Sequence, residues 1–175
     1  MNKDVAKALE IAEKQESDGI DWYAKLADRC GSEAAKQMFL SFKKDEERHL
    51  KWVKNLADGV GVDLSQAPLP RESIKTVFDE ADDETEDVAE STESQKEAID
   101  VALEMEKKSF DNYKQAADDT GDAVARAMFE RLAQEENQHY EMLENTREYL
   151  DNSDRWFLAE ENALIMGDQT SLPEA

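Results

Sequence analysis

Apolar residues recur every three to four positions along four long stretches of the chain, a pattern that predicts four amphipathic helices. The helices are expected over 3–30, 32–58, 93–120 and 122–150, because glycines stand close to three of their ends. A helix of about 27 residues is roughly 40 Å long. Four such helices predict an all-α helical bundle.

The chain repeats itself at an offset of 90 residues, the separation between its only two histidines, His49 and His139. Segments 8–56 and 98–146 match in this register without an insertion or a deletion. Identical pairs include Glu16/Glu106, Asp21/Asp111, Tyr23/Tyr113, Ala27/Ala117, Met38/Met128, Phe39/Phe129 and Glu46/Glu136. The repeat therefore predicts two copies of one helical hairpin.

The two hairpins, 3–58 and 93–150, are expected to form one domain over residues 1–150. The connector 59–92 is long enough to span the bundle, so the second and third helices need not be antiparallel neighbours. One long crossover of this kind is a known bundle topology.

Within the connector, a short helix is expected near 71–80, and residues 80–90 are strongly acidic. Calcium binding there is disfavoured, because glycine is missing where a tight calcium loop needs it. The tail 151–175 carries apolar residues that predict another short helix, which covers the bundle end or a partner subunit.

The net charge of −22 limits the kinds of partner that the chain is expected to bind. Such a chain repels phosphate backbones and anionic lipid headgroups, so neither nucleic acid nor membrane is an expected partner. Most of the acidic excess is expected on solvated helix faces. Cys30 is the only cysteine, and the N-terminus has no apolar signal segment, so a reduced, cytoplasmic setting is expected.

Each predicted helix interrupts its apolar seam with an acidic residue near its middle. These residues are Glu16, Glu46, Glu106 and Glu136, and the second and fourth helices add His49 and His139 three positions later. Isolated ionised groups in a dry core cost several kcal/mol each. Two divalent cations would balance four carboxylates while the imidazoles complete the coordination. A mixed oxygen and nitrogen ligand set suits iron or manganese better than structural zinc.

The repeat strengthens the evidence that the Glu-x-x-His motifs bind metal. One Glu-x-x-His in a Glu-rich helical protein is more often a surface salt-bridging pair. Two copies at equal offsets within the seam, with the matched pair Glu16 and Glu106, are a strong indication of a dinuclear site.

Four further residues are candidates for roles beside the metals. Tyr23 and Tyr113 either pack in the core, donate a hydrogen bond to a ligand carboxylate across the bundle, or pass an electron. Metal-bound histidine usually donates its other N–H to a carboxylate. Asp45 is the candidate partner of His139, and Glu135 has the same role toward His49; both acids are alternatively exposed surface residues.

Glu16-x-x-Gly19-x-x-Trp22-Tyr23 and Glu46-x-x-His49, together with their second copies, resemble the rubrerythrin branch of the ferritin-like superfamily. The resemblance covers about 8–150. It implies a ferritin-like four-helix bundle with a non-haem di-iron centre that reacts with hydrogen peroxide or dioxygen. It also implies that the four glutamates and two histidines of the seam are the iron ligands, with manganese or zinc as possible substitutes.

Two departures from the rubrerythrin pattern matter. Members of that branch carry an additional carboxylate on the third helix where this chain has Ser109, which makes the ligand set similar to that of bacterioferritins. A cysteine-bearing rubredoxin-like domain is also missing, so a separate protein is expected to donate electrons.

The resemblance thus predicts a peroxide reductase or oxidase, expected as a homodimer. Three alternatives stay open: a ferritin-like ferroxidase and iron-storage protein, a metal-stabilised helical binding module without catalysis, and a di-iron oxygenase with an organic substrate.

Overall fold

The computed structural model describes residues 3–29, 33–64, 69–70 and 92–167. Its long helices are α1 (Lys3–Arg29), α2 (Glu33–Ala57), α3 (Thr92–Asp119) and α4 (Ala123–Gly167). The predicted all-α, ferritin-like four-helix bundle is confirmed. The short helix expected near 71–80 and the acidic stretch 80–90 lie outside the described residues.

Local interactions end α2 and begin α4. Gly59 adopts a positive φ of 72° after α2, its N–H donates to the carbonyl of Leu56, and the N–H of Val60 donates to the carbonyl of Asn55. This is the glycine-dependent C-terminal motif of helices. The carboxylate of Asp122 caps α4 by accepting hydrogen bonds from the N–H groups of Val124 and Ala125, at 2.8 and 3.0 Å.

The fourth helix continues well beyond the end expected near residue 150. It runs to Gly167 without a break, so the backbone between 151 and 167 belongs to α4 rather than to a separate short helix. The physical reason is that no glycine or proline stands between Ala123 and Ile165 to end the helix.

Cross-helix contacts define the topology. Tyr23 of α1 contacts Glu106 of α3 while Tyr113 contacts Glu16, and this reversed order makes α1 and α3 antiparallel. Two further antiparallel pairs are α1 with α2 and α3 with α4, which pack closely as the predicted hairpins. Therefore α2 and α3 run in the same direction, and the chain between them passes from one end of the bundle to the other.

The apolar core consists of two clusters separated by a polar layer. One cluster includes Leu9, Val53, Ala117 and Phe129. The other includes Leu26, Phe42, Ala102 and Leu143. In every helix, the acidic residue predicted in the seam lies between the segments that contribute to the two clusters. The polar layer is therefore enclosed at both ends by apolar side chains.

We expect Leu132→Ala to lower the free energy of unfolding by about 2–5 kcal/mol, because Leu132 is fully buried in the first cluster and its truncation leaves a cavity. Urea denaturation of the metal-free protein measures the change. Leu40, which is 38% exposed, provides the matched control. Its replacement by Ala is expected to change the free energy by only about 0.5 kcal/mol. Equal effects of the two substitutions would contradict this assignment of the core.

Candidate metal centre

The six side chains predicted as metal ligands lie together in the polar layer. Each of these residues is at most 4% exposed: Glu16, Glu46, His49, Glu106, Glu136 and His139. Helix geometry explains part of this arrangement, because residues three apart share one helical face. The Glu and His of each Glu-x-x-His motif therefore point into the same layer.

The six residues form two overlapping groups with the spacing of metal-ligand clusters. Glu16 and His49 belong to the first group, Glu106 and His139 belong to the second, and Glu46 and Glu136 belong to both. One ligand atom from each member lies within 4.8 Å of the others in its group. The shared carboxylates could therefore contribute a ligand atom to either ion of a pair.

The atoms that face the centre lack hydrogen bonds. Nδ1 of His49 lies 3.3 Å from Oε2 of Glu16 and 3.1 Å from Oε1 of Glu136, without hydrogen-bond geometry. Within the described residues, one buried atom of each of the six side chains has no hydrogen-bond partner: Oε2 of Glu16 and Glu106, Oε1 of Glu46 and Glu136, and Nδ1 of His49 and His139. Unpartnered buried polar atoms are costly. Six that converge fit a pair of cations.

The outer nitrogen of each histidine faces a carboxylate of the opposite hairpin. Nε2 of His49 lies 2.9 Å from Oε2 of Glu135. Nε2 of His139 lies 3.3 Å from Oδ2 of Asp45. A proton on Nε2 leaves Nδ1 free to ligate a metal. Both acids are buried, unlike the surface alternative considered for them.

Two arginines that the sequence reasoning missed bind these outer carboxylates. Arg48 donates to Oδ1 of Asp45 and also to Oε2 of Glu135. Arg131 donates to the other oxygen, Oε1, of Glu135 at 2.5 Å. The available signal was their spacing, since each stands three or four residues from one of the acids on the same helix.

Charge around Glu135 and Asp45 keeps both ionised. Burial raises the pKa of Glu135, but its hydrogen bond with His49 and the neighbouring guanidinium groups outweigh burial and lower the pKa to about 2. Burial likewise opposes ionisation of Asp45, whose pKa is nevertheless lowered by His139 and Arg48. Both groups are thus hydrogen-bond acceptors at neutral pH.

The two tyrosines link the hairpins through carboxylates predicted as ligands. The hydroxyl of Tyr23 donates to Oε1 of Glu106, and the hydroxyl of Tyr113 donates to Oε1 of Glu16. Burial raises the pKa of both phenols well above its usual value, and the nearby carboxylates raise it further. The phenols therefore remain protonated donors. Both rings also pack in the apolar clusters, so the structure shows core packing and the hydrogen bond together.

Without cations, the layer retains protons. Burial raises the pKa of Glu46 and Glu136 well above its usual value, and nearby carboxylates add to the effect. Burial opposes protonation of His49 and His139, but adjacent carboxylates raise the pKa of both imidazoles well above its usual value. Metal binding would therefore release protons from this layer.

A small residue beside the centre makes room for a shared carboxylate. A Cβ added at Gly19 would lie 3.1 Å from Oε2 of Glu46. In the other repeat the corresponding Ser109 is half-buried, and its hydroxyl accepts a hydrogen bond from Nε2 of Gln15 at 3.2 Å. The space at Gly19 is thus occupied by the Glu46 side chain.

A four-helix bundle with two buried Glu-x-x-His motifs, two further glutamates and an internal two-fold arrangement defines the ferritin-like class of dinuclear metal proteins. The family model for rubrerythrin matches residues 7–147. The chain belongs to the rubrerythrin family, which confirms the resemblance seen in its motifs. No curated protein and no solved structure matches it. None of the described helices has an apolar stretch suited to crossing a bilayer.

We expect Glu46→Gln to raise the free energy of unfolding of the metal-free protein at pH 7 by about 1 kcal/mol or more, because the neutral amide removes a charge that folding disfavours. A carboxyl whose pKa rises on folding destabilises the folded state above its unfolded pKa, near 4.5, and not below it. The gain should therefore shrink as the pH falls toward that value.

Urea denaturation in the presence of a chelator measures this gain. The control is Glu47→Gln, because the neighbouring Glu47 is exposed and pairs with Lys43. A destabilising effect of Glu46→Gln across the whole pH range would refute the assignment of electrostatic repulsion to this layer.

Proposed function

We propose that the chain is a di-iron oxidoreductase that reduces hydrogen peroxide or dioxygen with electrons from a separate donor protein. The observation that carries the proposal is the convergence of six unpartnered buried atoms in two overlapping groups. Membership of the rubrerythrin family supports iron as the metal. Manganese and zinc remain the substitutes to compare.

Each ion would have its own glutamate and histidine. Glu16 and His49 would hold one ion, Glu106 and His139 would hold the other, and the shared carboxylates would contribute to both. When bound, a ferrous pair supplies two electrons for reduction of an O–O bond.

The rest of the layer acts through the ligands. Asp45 and Glu135 orient the imidazole rings by accepting from Nε2, so that Nδ1 faces the centre. Tyr23 and Tyr113 each keep the phenolic proton and donate a hydrogen bond to a ligand carboxylate. The flanking apolar clusters exclude bulk water, which strengthens these electrostatic interactions.

Ser109 supports ferroxidase activity as a second candidate function. It stands where rubrerythrins are expected to carry an extra carboxylate, and its hydroxyl is engaged by Gln15. A centre without that ligand resembles the bacterioferritin type, in which iron itself is the substrate. Oxidation of iron in excess of the two resident ions would distinguish this function.

Anaerobic loading with Fe(II), followed by stopped-flow mixing with each oxidant, tests the proposal. We expect two Fe(II) ions per chain and oxidation of both by hydrogen peroxide or dioxygen, with return to the ferrous state after addition of a reductant. The double substitution Glu46→Ala and Glu136→Ala removes both shared ligands and should abolish stoichiometric uptake while helicity is retained.

Three outcomes separate the candidates. Fast oxidation followed by repeated reductive cycling supports the oxidoreductase. Soluble retention of many ferric ions in a large multimer supports storage instead, whereas a dimer on a sizing column opposes it. Two tightly bound ions that neither oxidant changes would refute both redox functions.

Tyr113→Phe should lower Fe(II) affinity by about tenfold, because it removes a hydrogen bond that orients Glu16. Equilibrium titration against a competing chelator measures the affinity, and circular dichroism checks the fold. Tyr140→Phe is the control, since Tyr140 lies half-buried on α4 outside the metal layer. Unchanged affinity in Tyr113→Phe would oppose the positioning role.

A further inference from the structure

The two halves of the metal layer are matched in their ligands but not in their outer charges. Each half contributes two glutamates, a histidine and a tyrosine at positions 90 residues apart. The two partly buried arginines that bind the outer carboxylates have no charged counterparts. Gln138 stands at the repeat position of Arg48, and Ser41 stands at that of Arg131. Positive charge is therefore distributed unevenly around a symmetric ligand set.

The imbalance is concentrated behind His49. Both carboxylate oxygens of Glu135 accept from a guanidinium, one from Arg48 and one from Arg131. Within the described residues, Asp45, behind His139, accepts from one guanidinium, that of Arg48. Since Arg48 bonds both acids, Arg131 is the residue that makes the halves unequal.

Burial makes this difference effective. The Glu135 side chain is fully buried, while the Arg131 side chain is 19% exposed. Solvent screens partly buried charges much less than exposed ones. The extra guanidinium therefore acts on any cation at His49 through a medium of low dielectric constant.

We propose that the two metal subsites differ in affinity, with the subsite of Glu106 and His139 filled before the subsite of Glu16 and His49. This inference rests on the dinuclear site of the proposed function. A histidine becomes a stronger ligand when its outer N–H faces a carboxylate that retains its negative charge. Glu135 shares its charge with two guanidinium groups, so His49 is the weaker donor, and Arg131 also repels the incoming ion.

The shorter contact at His49 does not reverse this order. Nε2 of His49 is 2.9 Å from Glu135, compared with 3.3 Å between His139 and Asp45. A short hydrogen bond holds the ring in place, but the donor strength of the ring depends on the charge left on the acceptor. The guanidinium of Arg131 also stays beside Glu135 whatever the length of the contact between His49 and Glu135.

Histidine NMR tests the order directly, because the chain contains only two histidines and each reports on one subsite. The probe is zinc alone, added in a buffered titration to protein with 15N-labelled histidine. His49→Gln assigns the two sets of ring signals. We expect the His139 signals to change first and the His49 signals to follow at a free zinc concentration at least about tenfold higher.

Arg131→Ser introduces the residue that stands at the repeat position. It should increase the zinc affinity of the His49 subsite, so that the zinc concentrations of the two binding steps become more similar. A merely structural defect would weaken binding instead. The control is Arg147→Ser, which removes the same charge from α4 at a site where Arg147 pairs with Asp100 and Asp151. In this variant, the difference in free zinc concentration between the two binding steps should equal that of the parent protein.

Three outcomes would each overturn the inference while leaving the dinuclear site intact. They are simultaneous changes in both sets of signals, an earlier change at His49, and an unaltered difference in zinc concentration between the two steps in Arg131→Ser. Signals that do not respond to zinc at all would overturn both the inference and the proposed metal site. The two failures are therefore distinguishable in one titration.

Discussion

Like-charge repulsion in the middle of the bundle is the constraint on which the rest of the structure depends. Four glutamates and two histidines share a layer that is almost closed to solvent. Charge of one sign cannot accumulate there without protons or cations, because solvent screens a buried layer poorly. The apolar clusters on both sides therefore have to stabilise a layer that opposes folding when no metal is bound.

In this layer, each hairpin supplies hydrogen-bond partners to the glutamate and the histidine of the other hairpin. The Tyr23 hydroxyl donates a hydrogen bond to Glu106, and the Tyr113 hydroxyl donates one to Glu16. The outer nitrogen of each histidine likewise faces an acid of the opposite hairpin. A single hairpin would leave its own glutamate and histidine without these partners. The crossover, which makes α1 antiparallel to α3, is what brings the reciprocal pairs into register.

Repetition also explains what was predictable from the sequence. Helices and seam glutamates follow from a 3.6-residue period seen twice, and the histidines could be matched because there are only two. Arg48 and Arg131 could not be found this way, since they have no copies and resemble ordinary surface charges until α2 and α4 are packed together. The length of α4 was underestimated because the apolar residues after 150 were assigned to a separate short helix, although no glycine or proline before Gly167 breaks α4.

Departures from the repeat are where the two halves acquire different properties. The ring of His49 lies 5.7 Å from Trp52, whose counterpart is Met142, whereas the ring of His139 lies 4.5 Å from Phe42, whose counterpart is Leu132. Arg48 also lies over the Trp52 ring. The repeated residues define which metals fit, because ligand type and number are identical in both halves. The unrepeated residues set the polarity and charge on the two sides of the layer, so they would make the two ions of a bound pair unequal.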